Sequence, residues 1–304
     1  MDRFEILART LRERLPGLEL REREPMRRHT TFRIGGPARL MALPGTPEEA
    51  EAVVRLAAAL DVVPFFLGNG SNLLVADAGY EGLVLKTEGL AQTREDTCRL
   101  TAGSGIPLAR LAVTALNRGL SGLEFAHGIP GTLGGAVLMN AGAYGGEMIQ
   151  VLTSVTFLDG EGARRTLPAG ACGLSYRHSL FCEHPEWLIL EAEVELQPGN
   201  AEDIRGRMAE LAEKRRAKQP LEWPSAGSTF KRPEGHFAAA LIEQCGLKGV
   251  GVGGARVSEK HAGFVINRGD AAADDVRRLM ALVQETVLRE TGVALEPEIR
   301  LLGF

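Results

Sequence analysis

The chain has 304 residues, 44% of them hydrophobic and 24% charged, and a net charge of −4. That length accommodates two or three domains, each with its own core, in an ordinary globular composition. The weakly acidic balance points away from nucleic-acid or membrane-surface partners, and no run approaches the ~20 apolar residues of a membrane helix.

In chain order, Phe4, Leu7, Leu11 and Leu15 recur at helical spacing and predict an amphipathic helix. The segment has no apolar core of the signal-peptide type. Thr46-Pro47-Glu48-Glu49 reads as a capping box with proline at the first helical position, and Ala50, Val53, Val54, Ala57 and Leu60 follow as an apolar stripe. Val62 to Leu67 is a short β-type run that ends at a glycine-containing loop, and Gly82 to Lys86 is another. These make a small α/β unit up to about residue 85. Pro107 to Asn117 is helical, with Gly119 as its stop, and a glycine-dense region extends from Gly128 to Gly146. Strands are expected at Val151 to Leu158, Arg164 to Leu167 and Trp187 to Leu196, the first two joined by an Asp159-Gly160 turn. Pro198-Gly199-Asn200 is a natural hinge and places a boundary near residue 200. Beyond it, Ile204, Met208 and Leu211 mark one helix, Ala238 to Cys245 a second, and Val276 to Val287 a long third that Gly292 stops. Phe264-Val265-Ile266 and Val293-Ala294-Leu295 are the accompanying strands.

Cys98, Cys172, Cys182 and Cys245 have no metal-ligand spacing, and the histidines are scattered, so no metal site is expected. Free thiols in a reducing cytosol follow, and with them a cytoplasmic protein.

Five segments carry chemistry. Gly68-Asn69-Gly70-Ser71-Asn72 follows a predicted strand, but Leu73 stands where a G-x-G-x-x-G dinucleotide motif needs its third glycine. Its backbone N–H groups can still cradle an anion, and Ser71 and Asn72 add side-chain donors. Between Gly128 and Gly146 the glycines alternate with Ile129, Leu133, Val137, Leu138 and Met139, which suits close backbone packing on something flat better than a flexible loop. Pro224 to Pro233 places Gly227 beside Ser228, so that a hydroxyl can be aimed into a tight space, and adds Lys231 and Arg232 as an anionic substrate needs. A plain polar turn is the alternative. Ser175-Tyr176-Arg177-His178-Ser179 and Leu295-Glu296-Pro297-Glu298-Ile299-Arg300 fit the same chemistry.

These segments, together with Thr30-Thr31-Phe32-Arg33-Ile34-Gly35-Gly36, Gly128-Ile129-Pro130-Gly131-Thr132-Leu133-Gly134-Gly135 and Asn140-Ala141-Gly142-Ala143-Tyr144-Gly145, occur in the order of a known family. Over nearly its whole length the chain resembles the UDP-N-acetylenolpyruvoylglucosamine reductases of bacterial cell-wall synthesis. The resemblance implies an α+β fold: a two-part FAD-binding region of the PCMH/vanillyl-alcohol-oxidase type and a C-terminal α/β substrate-binding domain. The implied divisions are 1–85, 86–199 and 200–304, with the last few residues packing back on the first part. It also implies noncovalent FAD, its pyrophosphate on the two glycine loops. The contacts carried over are Gly68, Asn69, Gly70, Ser71, Asn72, Gly128, Ile129, Pro130, Gly131, Thr132, Gly134 and Gly135. Arg33 is either a further contact or a structural salt bridge. His127 is read as a packing or hydrogen-bonding residue, because these reductases attach no flavin covalently.

The implied reaction is NADPH-dependent reduction of UDP-N-acetylglucosamine enolpyruvate to UDP-N-acetylmuramate. Its double bond is conjugated to a carboxylate, so hydride addition requires that the charge building on that carboxylate be stabilised and that the adjacent carbanion receive a proton. Arg177 matches the fixed cation, Glu298 a protonated acid that hydrogen-bonds the enolate, and Ser228 the general acid. Glu296 competes for the Glu298 role; the match favours the acid two residues before Arg300. Tyr176, Lys231, Arg232 and Arg300 are candidates for holding substrate, and His261 and Asn267 for lining or bracing the third domain. No tyrosine lies between Trp187 and Ser225, so the chain looks like the shorter class that lacks a tyrosine-bearing insertion. A monomer, without nucleic-acid or membrane partners, is expected. Two other readings are an FAD-dependent oxidase or dehydrogenase of the same fold and a non-catalytic nucleotide-binding module.

Overall fold

A computed structural model describes residues 2–304. The chain forms two compact units. The first takes the chain up to Arg23, Leu40–Asn69 and Gly82–Lys214; the second takes Glu24–Arg39, Gly70–Glu81 and Arg215–Phe304.

The first unit opens with the expected helix, Arg3–Arg14. The Asp2 carboxylate accepts the N–H groups of Phe4 and Glu5, and Glu5 returns a bond to the N–H of Asp2. Its Phe4, Leu7, Ala8 and Leu11 share a core with Ala50, Val53, Val54 and Ala57 of helix Pro47–Ala58. Thr46 caps that second helix by accepting from the Glu49 N–H, but the Glu49 carboxylate accepts from Gly45 instead of Thr46. Only half of the expected capping box forms. The strand foreseen from Val62 is confined to Phe65–Leu67, which lies parallel to Tyr80–Lys86 with Leu67 opposite Lys86. Helix Leu108–Asn117 ends, as expected, before Gly119 at φ 65°.

The larger sheet of this unit is antiparallel, in the order Arg164–Pro168, Leu152–Leu158, Leu188–Glu195, Arg99–Gly103, Thr93–Asp96. A bulge at Leu190 breaks its strict alternation: Thr156 faces Glu191, but Phe157 faces Ile189. One extra residue exchanges the faces of a strand. Leu188 and Leu190 therefore join the core of the two N-terminal helices, whereas Ala192 and Val194 join a second core with Leu111, Leu133 and Phe157. Ile204 and Met208 of helix Ala201–Lys218 pack into this second core.

In the second unit, helix Ala273–Thr291 buries Val276, Leu279, Met280, Val283 and Val287, and Gly292 ends it at φ 74°. The Asp77 carboxylate accepts the N–H groups of Ala273 and Asp274, a negative charge placed at the positive end of the helix. An antiparallel sheet runs in the order Ser225–Ser228, Phe264–Asn267, Ala255–Val257, Gly251–Val252. Val293 to Leu295 forms no strand. Pro297 interrupts that stretch, and the pairing moves on to Arg300–Leu302, which lies parallel to Leu73–Val75. All four cysteines are free thiols.

Candidate active site

In the first unit Gly68 and Asn69, which open the first glycine region, lie against the second one. The Asn69 side-chain amide donates to the Pro130 carbonyl at 2.7 Å. A Cβ on Gly68 would stand 2.3 Å from the Thr132 hydroxyl, and one on Gly134 would stand 2.8 Å from the Ser104 Cβ. Both glycines are there because a neighbour occupies the space of a side chain. The Gly134 N–H donates to the Ser104 carbonyl. Ser104 itself is buried, and its hydroxyl has no partner among the described residues, an uncommon state for a buried polar atom. Thr132 is buried, Gly128, Ile129, Gly131 and Gly134 are half-buried, and Pro130 and Gly135 are exposed. His127, also half-buried, ends the short helical turn Glu124–Ala126.

The segment from Ser175 to Ser179 is a tight turn closed by reciprocal backbone bonds between Ser175 and His178. At its tip, Arg177 adopts φ 56°, a left-handed conformation uncommon for a residue with a side chain, and its guanidinium lies 5.2 Å from the centre of the Tyr176 ring. Two anchors hold this turn to the chain that follows the second glycine loop. The buried Ser179 hydroxyl donates to the Leu138 carbonyl at 2.8 Å, and the buried Asn140 amide donates to Ser175 at 3.2 Å and to the Glu147 carboxylate at 3.1 Å. Asn140 is itself at φ 39°.

In the second unit, strand Ser225–Ser228 pairs Ser225 with Ile266 and Ser228 with Phe264, with a bulge between them. Gly227 carries the bulge at φ 77°, and its nearest neighbour is the Ser71 carbonyl, 3.9 Å from where a Cβ would stand. The positive φ, not crowding, calls for glycine here, and the bulge sets the direction of the following Ser228. The next residues pair across to the C-terminal motif: Phe230 opposes Pro297, the Glu298 N–H donates to the Thr229 carbonyl at 2.8 Å, and the Lys231 N–H donates to Glu296 at 2.9 Å. Asn72 brackets the far side. Its amide donates to the Glu298 carbonyl at 3.0 Å, and its own carbonyl accepts from the Arg300 N–H. Asn72, Thr229 and Glu298 are thus held in one hydrogen-bond network, with Ser228 next to Thr229 in the chain.

The two glutamates are placed differently. Glu296 is exposed and forms an ion pair with the Lys231 ammonium, while Glu298 is half-buried. Arg300 is exposed, and the Arg232 guanidinium lies 4.5 Å from the centre of the Phe237 ring. Arg33 is exposed at φ 57°, and no ion pair to it forms among the described residues.

The full-length match is to one family. A model of the UDP-N-acetylenolpyruvoylglucosamine reductase C-terminal domain matches residues 219–302, and a model of an FAD binding domain matches residues 38–167. The UDP-N-acetylenolpyruvoylglucosamine reductase of Agathobacter rectalis is 50% identical, over 97% of this chain and 98% of its own. That of Caldanaerobacter subterraneus subsp. tengcongensis is 47% identical, over 98% and 99%. The chain belongs to the UDP-N-acetylenolpyruvoylglucosamine reductase family. The crystal structure of the enzyme from Thermus caldophilus is 35% identical over 94% of this chain and 98% of its own, with a TM-score of 0.79. The expected fold class, an FAD-binding region followed by a reductase C-terminal domain, is borne out.

The first unit of this reductase fits the cofactor its family implies. The facing loop leaves no room for a Cβ at Gly68, Ser104 leaves none at Gly134, and the Ser104 hydroxyl lacks a partner among the described residues. Sequence reasoning left out several residues that hold the site together. Thr31 is one: its N–H donates to the Gly70 carbonyl and its hydroxyl to the Ser225 carbonyl at 2.7 Å. Thr229 is another: its buried hydroxyl accepts from the Val265 N–H at 3.0 Å while its own N–H donates to Gly263. Asn267 braces the same region through the Phe32 carbonyl at 3.1 Å. Nearby, the His261 ring accepts from the Gly263 N–H at 3.1 Å, and burial holds its pKa below the ordinary histidine value.

Proposed function

We propose that Ser228, Arg177 and Glu298 carry the reducing step of this FAD-dependent reductase, which converts UDP-N-acetylglucosamine enolpyruvate to UDP-N-acetylmuramate with NADPH. The observation that carries the reading is the backbone network joining Asn72, Thr229 and Glu298. It supports Glu298 over Glu296, because the Glu298 N–H bonds to Thr229, the residue after Ser228, whereas Glu296 pairs with Lys231 further along. Gly68, Asn69, Gly70, Ser71 and Asn72, with Gly128 to Thr132, Gly134 and Gly135, would hold FAD through backbone and short polar donors, without a covalent bond. Arg33, exposed and in no ion pair among the described residues, is proposed as a further contact. FAD, when bound, supplies the carrier that accepts hydride from NADPH and delivers it to the terminal vinyl carbon.

The rest is the work of the chain. Arg177, always charged, pairs with the substrate carboxylate as negative charge builds there. Glu298 in its protonated form donates a hydrogen bond to the developing enolate. The Ser228 hydroxyl gives its proton to the carbon next to the carboxylate and regains one from solvent. Lys231, Arg232, Arg300 and Tyr176 are assigned to the carboxylate, diphosphate and sugar of the substrate. The functional divisions proposed are residues 1–85 and 86–199 for FAD and 200–304 for substrate. The pairing of Arg300–Leu302 with Leu73–Val75 supports the return of the last residues to the first part. We assign the enzyme to the cytoplasm as a monomer, consistent with its free thiols and its lack of any described helix apolar enough to cross a membrane.

The test is a purified yellow protein that consumes NADPH only when the enolpyruvyl substrate is added, and whose flavin goes entirely into the supernatant on acid denaturation. NADPH oxidation that needs only oxygen would instead indicate an oxidase. Bound ligand without turnover would indicate a binding module, and flavin retained on the precipitated chain would refute noncovalent binding.

A further inference from the structure

Lys86 is a deeply buried cation of the first unit, with its ammonium against the first glycine loop. Its side chain is 6% exposed, and its Nζ donates to the Gly68 carbonyl at 2.7 Å. The nearest carboxylate, Glu88, lies at 3.6 Å and is 58% exposed, so it offsets the buried charge only weakly. Burial holds the Lys86 pKa below the ordinary lysine value. An ammonium is costly to bury, and apolar replacement of such a group is often neutral or stabilising. A lysine kept here therefore calls for a use other than stability.

Its position supplies one. Leu67 and Lys86 stand opposite each other in the parallel strands, and the next residue, Thr87, donates its hydroxyl to the Leu67 carbonyl at 3.3 Å. Two consecutive side chains thus grip the carbonyls of Leu67 and Gly68, where the first glycine loop begins. A carbonyl that accepts from a cation becomes polarised, and the N–H of the same peptide group, here that of Asn69, becomes a stronger donor. Asn69 is also the residue that ties this loop to the second one through Pro130.

We infer that Lys86 is a positioning residue for FAD, fixing the Gly68 carbonyl at the base of the first glycine loop and placing positive charge there for an anionic diphosphate. This rests on the reading that the loop holds FAD. Lys86 touches no reacting atom in this role; it acts through the Gly68–Asn69 peptide.

The experiment measures FAD affinity of the flavin-stripped protein by flavin fluorescence, alongside its urea unfolding midpoint without FAD. Lys86→Met should raise the FAD Kd by about 10- to 100-fold, the range for losing a hydrogen bond to a charged group. Its FAD-free unfolding midpoint should stay at or above wild type. Lys86→Gln, which keeps a neutral donor for the Gly68 carbonyl, should recover part of the loss. Wild-type affinity in Lys86→Met overturns the inference. So does a loss of affinity matched by an equal loss of FAD-free stability, which would mark Lys86 as merely structural. Failure of the wild-type chain to bind FAD at all would overturn the cofactor reading instead, so the two failures are distinguishable.

Discussion

Glu296 and Glu298 offer a sharp contrast because they are chemically identical and two residues apart. In a regular strand they would share a face and an environment. Pro297 sits between them opposite Phe230, and their surroundings differ: Glu296 is 69% exposed and paired with Lys231, while Glu298 is half-buried and its backbone is held by Thr229 and Asn72. An exposed pair of this kind contributes about 0.2–1 kcal/mol, so Glu296→Gln should change any rate by less than about fivefold. Losing a hydrogen-bond donor to a developing oxyanion costs about 10²–10³-fold in turnover. Glu298→Gln keeps the size and a weak N–H donor but removes the acidic proton, so a loss of that order is expected in reoxidation of the flavin by the enolpyruvyl substrate. Reduction of the flavin by NADPH, and flavin content, should be nearly unchanged. Stopped-flow absorbance of the flavin separates the two half-reactions. A large loss of reoxidation rate in Glu296→Gln, with Glu298→Gln close to wild type, would refute the assignment and transfer the role to the residue paired with Lys231.

Ser228→Ala should slow reoxidation by about 10²–10⁴-fold while leaving reduction by NADPH near normal. Equal slowing of both phases in stopped-flow traces would mean that Ser228 serves the fold instead. Thr229→Val should strand the Val265 N–H that its hydroxyl now satisfies, at a cost of about 1–3 kcal/mol, read as a fall in Tm of about 2–4 °C for each kcal/mol. Thr229→Ser should restore most of it, and a Val variant as stable as wild type would remove this bond from the account. His261 predicts an acid-side weakness. Burial lowers its folded pKa below the unfolded value near 6.5, so the unfolded chain binds the proton first. The stability involved is fully present above about pH 6.5 and is lost as pH falls through that value toward the folded pKa. Urea midpoints at pH 7.5 and 5.0 should differ less in His261→Gln than in wild type, and an unchanged difference would exonerate His261.

The longer helices were legible in the sequence because each has a local signature. The spacing of Phe4, Leu7 and Leu11 in Arg3–Arg14, Pro47 opening its helix and Gly292 closing Ala273–Thr291 are all local signals. The glycines at 68, 134 and 227 also marked real constraints, although two reflect crowding by a distant neighbour and one a positive φ. What went unread depends on partners far away in the chain. The strand expected at Val293 to Leu295 has the right residues but lacks a partner there, whereas Arg300–Leu302 finds one more than 220 residues earlier at Leu73–Val75. Thr31, Asn140 and Thr229 are single polar residues with no periodicity to announce them, and each matters through a carbonyl or N–H supplied by another segment. Lys86 is the extreme case. In sequence it only closes the β-type run from Gly82, whereas in the folded chain its ammonium is buried against Gly68. A buried polar group must be satisfied wherever its partner comes from, so this class of site residue becomes visible only when the segments meet.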